Sequence, residues 1–173
     1  MGMEFKEYVL KWCKDEGMFK EEIKEAGTEF HYRISLPELP DKIPLLLSVV
    51  QPERKDKVII TVAVGLGPEY TGALAKMEKQ EREKFMMELC YMMQLGPAYF
   101  SIEESDGILK QVSVSDVIYT DGLSKDRFMR SVQAVYKGVS LAILQLRGIL
   151  GNMAQSQPKE EPRKTLGGSP QKR

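Results

Sequence analysis

The sequence predicts an α+β domain: a mainly antiparallel sheet flanked by helices, in the order helix, three or four strands, helix, two strands, helix. Three observations carry that prediction. The stretch "TEFHYRISL" (28–36) puts Phe30, Tyr32, Ile34 and Leu36 on one side and His31, Arg33 and Ser35 on the other, the period of a half-buried strand. Asp106-Gly107 lies between two β-rich runs, and a two-residue hairpin turn with positive φ at both positions favours that pair. Phe128, Val132, Val135, Val139, Ala142, Leu146 and Ile149 step by four and three, the spacing of one helix face.

Taken in order, Phe5, Val9, Trp12 and Cys13 recur at helical spacing, and Gly17 ends that first helix. Residues 18–25 either continue the helix after a break or form an edge strand with Phe19 and Ile23 pointing one way, and the strand is favoured. Pro37, Pro40 and Pro44 forbid regular ladders until "LLLSVVQ" (45–51), and "KVIITVAVGL" (57–66) follows after a charged turn. Both runs are apolar at successive positions, which predicts central strands covered by helices on both faces. Residues 71–95 read as one helix whose first half is a solvated, charge-alternating surface, with Glu78 four residues before Arg82 and Lys79 before Glu83. Its second half is expected to bury Phe85, Met86, Leu89, Cys90 and Met93, and Gly96-Pro97 stops it.

After the hairpin, Ser124 is placed to cap the final helix, with Asp126 in the first turn favoured by the helix dipole. Met129, Tyr136, Ile143 and Leu150 form a second stripe beside the first, so the helix should lie across the sheet. Ala134, Gly138, Leu141 and Leu144, on what reads as the opposite side, are also small or apolar, which calls for a neighbouring element or a second subunit to cover them.

The chain of 173 residues is expected to form one domain over 1–153, followed by a disordered basic tail, 154–173. That tail has Lys159, Arg163, Lys164, Lys172 and Arg173 against Glu160 and Glu161, and too little apolar surface to offset its ordering entropy. A domain of this size buries about 70% of its unfolded surface, enough to stand without a metal or a disulfide. Lys and Arg number 25 and Asp and Glu number 25, so net charge gives no reason to expect nucleic acid or an anionic membrane as partner. Cys13 and Cys90 fall on apolar helix stripes and are expected to be buried free thiols, which suits the cytoplasm. No stretch reads as a signal peptide or a membrane span, and Lys6 stands where a myristoylation signal needs Ser or Thr.

The stretch most open to a chemical reading is "VAVGLGPEYTGALAK" (62–76), a strand running through glycines into a helix. Gly67 and Gly72 have the spacing of a phosphate-binding loop, but Ala73 and Leu74 replace the Lys and the hydroxyl that such a loop needs. A dinucleotide fingerprint would put a glycine where Tyr70 stands. Pro68 removes an amide and Glu69 adds negative charge, so the segment is expected to be a turn with Thr71 capping the next helix. A small-molecule binder or enzyme using Gly65–Gly72 is the alternative reading.

Chemistry elsewhere is sparse. The single histidine, His31, is expected to be exposed on the polar side of its strand, and Glu103, Glu104, Asp116 and Asp121 to be solvated carboxylates near turns. No catalytic residue, cofactor site or metal site is expected. Methionine is the notable excess, with Met77, Met86, Met87, Met92 and Met93 along 71–95. Most serve a core, but Met87 and Met92 do not share the buried side equally and, with Leu141 and Leu144, are candidates for a partner surface. A weaker possibility is nucleic-acid association through the tail and Arg127, Arg130 and Lys137.

The stretches "WCKDEG" (12–17) and "DVIYTDGLSKDRFMRSVQ" (116–133), with the element order, resemble an uncharacterised archaeal domain family that has the type III secretion chaperone-like fold, also seen in YbjN-like bacterial proteins. The resemblance spans about residues 3–150. It implies a compact α+β domain, commonly a homodimer, that binds an unidentified polypeptide partner and has no catalytic centre. The balanced charge departs from the strongly acidic secretion chaperones, which speaks against a secretion role itself.

Overall fold

A computed structural model describes residues 4–36 and 45–156, with side chains through 149. The proline segment 37–44, residues 157–173 of the expected tail and the side chain of Leu150 lie outside the described residues. Helix α1 (Phe5–Asp15) leads into β1 (Phe19–Glu22) and β2 (Thr28–Ser35), and β3 (Leu46–Pro52) and β4 (Lys57–Gly65) follow. Two helices, α2 (Pro68–Lys76) and α3 (Lys79–Gln94), come next. The hairpin β5 (Tyr99–Ser105) and β6 (Ile108–Tyr119) then gives way to the long α4 (Lys125–Ser156).

All six strands form one antiparallel sheet in the order β1-β2-β3-β4-β6-β5, as the α+β reading expected. The short segment after α1 is a strand, β1, at the edge of the sheet. The hairpin turn has the predicted form: Asp106 and Gly107 have φ of 55° and 68°. Ser124 caps α4 through its Oγ, which accepts from the Arg127 N–H at 3.2 Å.

The core lies between one face of the sheet and the helices. Every member of the predicted α4 stripe, from Phe128 to Ile149, is buried, and so are Tyr32, Ile34, Leu47, Val49, Val58, Ile60, Val112 and Val114 from the strands. Trp12 and Phe128, with ring centroids 5.9 Å apart, tie α1 to α4. Gly138 faces the sheet rather than away from it: a Cβ there would lie 2.8 Å from Val114 Cγ1, so the glycine sets how closely α4 approaches β6. Leu141 also packs against the core, which leaves Leu144 as the large apolar side chain of the expected surplus that is exposed.

Four expectations are corrected. The region 71–95 is two helices broken at Met77-Glu78, not one, and α2 begins at Pro68 with Gly67 as its N-cap. Proline is preorganised for the first helical position, so Thr71 falls inside the helix and its Oγ1 bonds back to the Gly67 and Pro68 carbonyls. Phe85, Met86 and Cys90 are half-buried rather than buried, while Leu89 and Met93 are fully inside. Finally, β3 and β4 are covered on one face only. Val50, Ile59 and Thr61 on the other face are half-exposed, and Leu46 and Ala63 are exposed, because β-branched residues suit a pleated surface whether or not it is covered.

Candidate functional site

The glycine turn carries the chain from β4 into α2 as expected, with Gly67 rather than Thr71 as the cap. A Cβ added at Gly67 would meet the Glu69 carboxylate oxygens at 2.7 and 2.9 Å, so the chain's own carboxylate fills the space over the α2 N-terminus that a phosphate would need. The turn borders a groove of about 460 Å³ lined largely by apolar residues, among them Leu45, Val62, Tyr70 and Leu146, with Glu69 and Arg147 as its charged members.

A second cleft, about 590 Å³, opens between α4, the start of β5 and the end of α3. Asp116 lies in it, and here the sequence reading fails. Its carboxylate is buried on the covered face of β6, accepting from the Val117 N–H at 2.8 Å and pairing with Arg127 Nη2 at 3.2 Å. Spacing from the hairpin suggested a solvated acid, but the alternation of β6 puts position 116 in phase with Val112, Val114 and Ile118. Arg127 stands on the first turn of α4, where the Ser124 cap aims it back at β6. Arg130 lines the same cleft and is bound to Asp126 at 2.9 Å. Asp116 is the one carboxylate among the described lining residues, so the cleft does not bring an acid and a base together. Glu103, Glu104 and Asp121 are exposed, as expected.

His31 is not the exposed side chain expected. It is half-buried, Nδ1 lying 2.8 Å from Glu25 Oε2 and Nε2 3.0 Å from Ser48 Oγ, since β2 has strands on both sides and its neighbours reach the ring. Cys13 is a buried free thiol, and burial pushes its pKa up to about 12, away from nucleophile chemistry. Cys90 is a half-buried free thiol. Burial also raises the Tyr32 phenol. The hydrogen bond to Glu16, 2.6 Å away, raises the exposed Lys125 ammonium. Among the described residues no three His, Cys, Asp or Glu side chains are grouped to hold a metal ion, and no helix is long and apolar enough to cross a membrane.

The third place is a surface. On α3, Met87, Tyr91 and Leu95 just beyond its end follow one another at intervals of four and are 72%, 66% and 68% exposed. Met87 was a candidate from the sequence, whereas Tyr91 and Leu95 were missed. The signal for them was the same four-residue step that marked the core stripe of α4, here turned outward by Leu89 and Met93 facing in. Met92 is half-buried, so the predicted Met87–Met92 pair is not a matched exposed pair. Leu144 on α4 is 62% exposed and Leu141 is not part of an open surface.

Comparison with known proteins places the fold. A crystal structure of an uncharacterized protein from Methanothermobacter thermautotrophicus matches with a TM-score of 0.73 and 24% identity, over 85% of this chain and 97% of that one. A crystal structure of YbjN from E. coli matches with a TM-score of 0.43 and 12% identity, over 88% and 94% of the two chains. A search of curated proteins found no significant match. The family model for the uncharacterized conserved protein DUF2299 matches residues 5–146, which include the two stretches that carried the resemblance and all but the end of α4. The chain belongs to that family, DUF2299.

Proposed function

We propose that the protein is a non-enzymatic interaction domain that holds an apolar polypeptide segment on the outer face of α3, in the manner of a chaperone. The observation that supports this most is the Met87, Tyr91 and Leu95 stripe, three large apolar side chains each about two-thirds exposed on one line. Scattered surface apolar residues need no explanation, but a contiguous row that includes a flexible methionine and an aromatic ring suits a surface that accepts varied apolar partners. The lone carboxylate of the cleft and the weakly nucleophilic Cys13 support the non-enzymatic part of the reading. The free thiols support a reducing compartment, the cytoplasm.

The test is suppression of aggregation of thermally unfolding citrate synthase, followed by light scattering. The wild-type protein in molar excess should reduce scattering at least twofold. A Met87→Glu, Tyr91→Glu variant with unchanged Tm should lose that effect. No suppression by the wild type, or full suppression by the variant, contradicts the reading. The groove beside Gly65–Gly72 favours a second reading, a small apolar ligand, which a rise in Tm with fatty acids and no change in the citrate synthase assay would support.

A further inference from the structure

Among the described residues, no element lies over the face of the sheet turned away from the helices. Directly opposed residues define its rows. One row runs Arg33, Ser48, Thr61, Ser115, Tyr99 from β2 to β5. The next runs His31, Val50, Ile59, Val117. On the other side of the first row lie Ser35 with Leu46 and, across the sheet, Ala63 with Ser113 and Ser101. None of these residues is buried, and the central strands β3 and β4 contribute no charged side chain to these three rows.

We propose that this face is the interface of a homodimer in which the sheets of two copies pack face to face. The reading is independent of the polypeptide-binding surface on α3. Three features favour a second copy as the occupant. The first is the symmetry of the pattern. A two-fold axis parallel to the strands, between β3 and β4, lays β3 of one copy over β4 of the other. Val50 then meets Ile59 and Ser48 meets Thr61, apolar on apolar and hydroxyl on hydroxyl, an isologous contact. The second is extent. Six strands at about 4.8 Å spacing span about 24 Å, and nine residues of β4 at about 3.4 Å span about 30 Å, a footprint of roughly 700 Å². Stable interfaces need about 800 Å² per partner, so the face is of the right size for a dimer and larger than a single bound peptide requires. The third is charge: with 25 basic and 25 acidic residues, two copies approach without net repulsion.

The dimer expected from surplus apolar residues on α4 therefore moves to the opposite side of the molecule, because Gly138 and Leu141 are used within one subunit.

Sedimentation velocity of the full chain from about 1 to 200 μM tests the proposal. The wild type should be a dimer, and Ile59→Lys should raise the dimer Kd at least a hundredfold. Should Ile59→Lys fail to fold, Ser115→Arg serves, since its site is already half-exposed and the same axis lays it over Arg33 of the other copy. The Met87→Glu, Tyr91→Glu variant should remain dimeric, which separates this surface from that on α3. A wild type that stays monomeric throughout, or a dimer that survives the sheet-face variants, or one that dissociates on the α3 substitutions instead, overturns the proposal.

Discussion

On β4, Val58, Ile60 and Val62 point at the helices and are buried, whereas Ile59, Thr61 and Ala63, interleaved with them, point the other way and are not. The same strand thus presents apolar side chains on two surfaces with different fates. One meets α4, whose stripe of seven buried side chains completes a core. The other meets no element among the described residues. Hydrophobicity alone does not tell a core from an association surface. What separates them is the partner element, and here all the described helices pack on one side.

That contrast can be broken from either side. The largest effect is expected at Val139, fully buried at the middle of α4: Val139→Asp places an unpaired charge in the core and should cost more than about 4 kcal/mol, or abolish folding, in urea denaturation. Gly138→Ala tests the close approach of α4 to β6. The new Cβ would lie 2.8 Å from Cγ1 of the stiff Val114 side chain, closer than van der Waals contact allows, so overpacking of about 1–3 kcal/mol is set against about 1 kcal/mol of improved helix propensity. A net loss of about 1 kcal/mol is expected, and a gain would mean that α4 lies farther from the sheet. The smallest effect is expected on the outer face of α3, where Tyr91→Ser should change stability by less than about 0.5 kcal/mol, because the ring is two-thirds exposed.

Much of this was legible in the residues themselves. The α4 stripe, the β2 alternation, the Asp106-Gly107 turn and the Ser124 cap follow from local rules of period, φ and capping, and each is met. Several failures share a cause, which is that a residue's surroundings come from other elements of the fold. Asp116 finds Arg127 on the first turn of the next helix, and His31 finds Ser48 on a neighbouring strand. Gly138, placed by helical count on the outer side, is buried because the helix lies close to β6. The break at Met77-Glu78 escaped a reading in which continuous charge alternation stood for a continuous helix. Of the partner-surface candidates, Met87 and Leu144 are exposed, but the row completed by Tyr91 and Leu95 depends on knowing which side of α3 meets the core.

The most direct test of a sheet with one core face and one association face is a pair of substitutions one residue apart. Equilibrium urea unfolding of Ile60→Asp and Ile59→Asp, at a concentration low enough to keep both monomeric, compares the faces on one strand. Ile60→Asp should lose more than about 4 kcal/mol or fail to fold, and Ile59→Asp should remain folded with less than half that loss. Equal losses, or the larger loss at Ile59, would contradict the account.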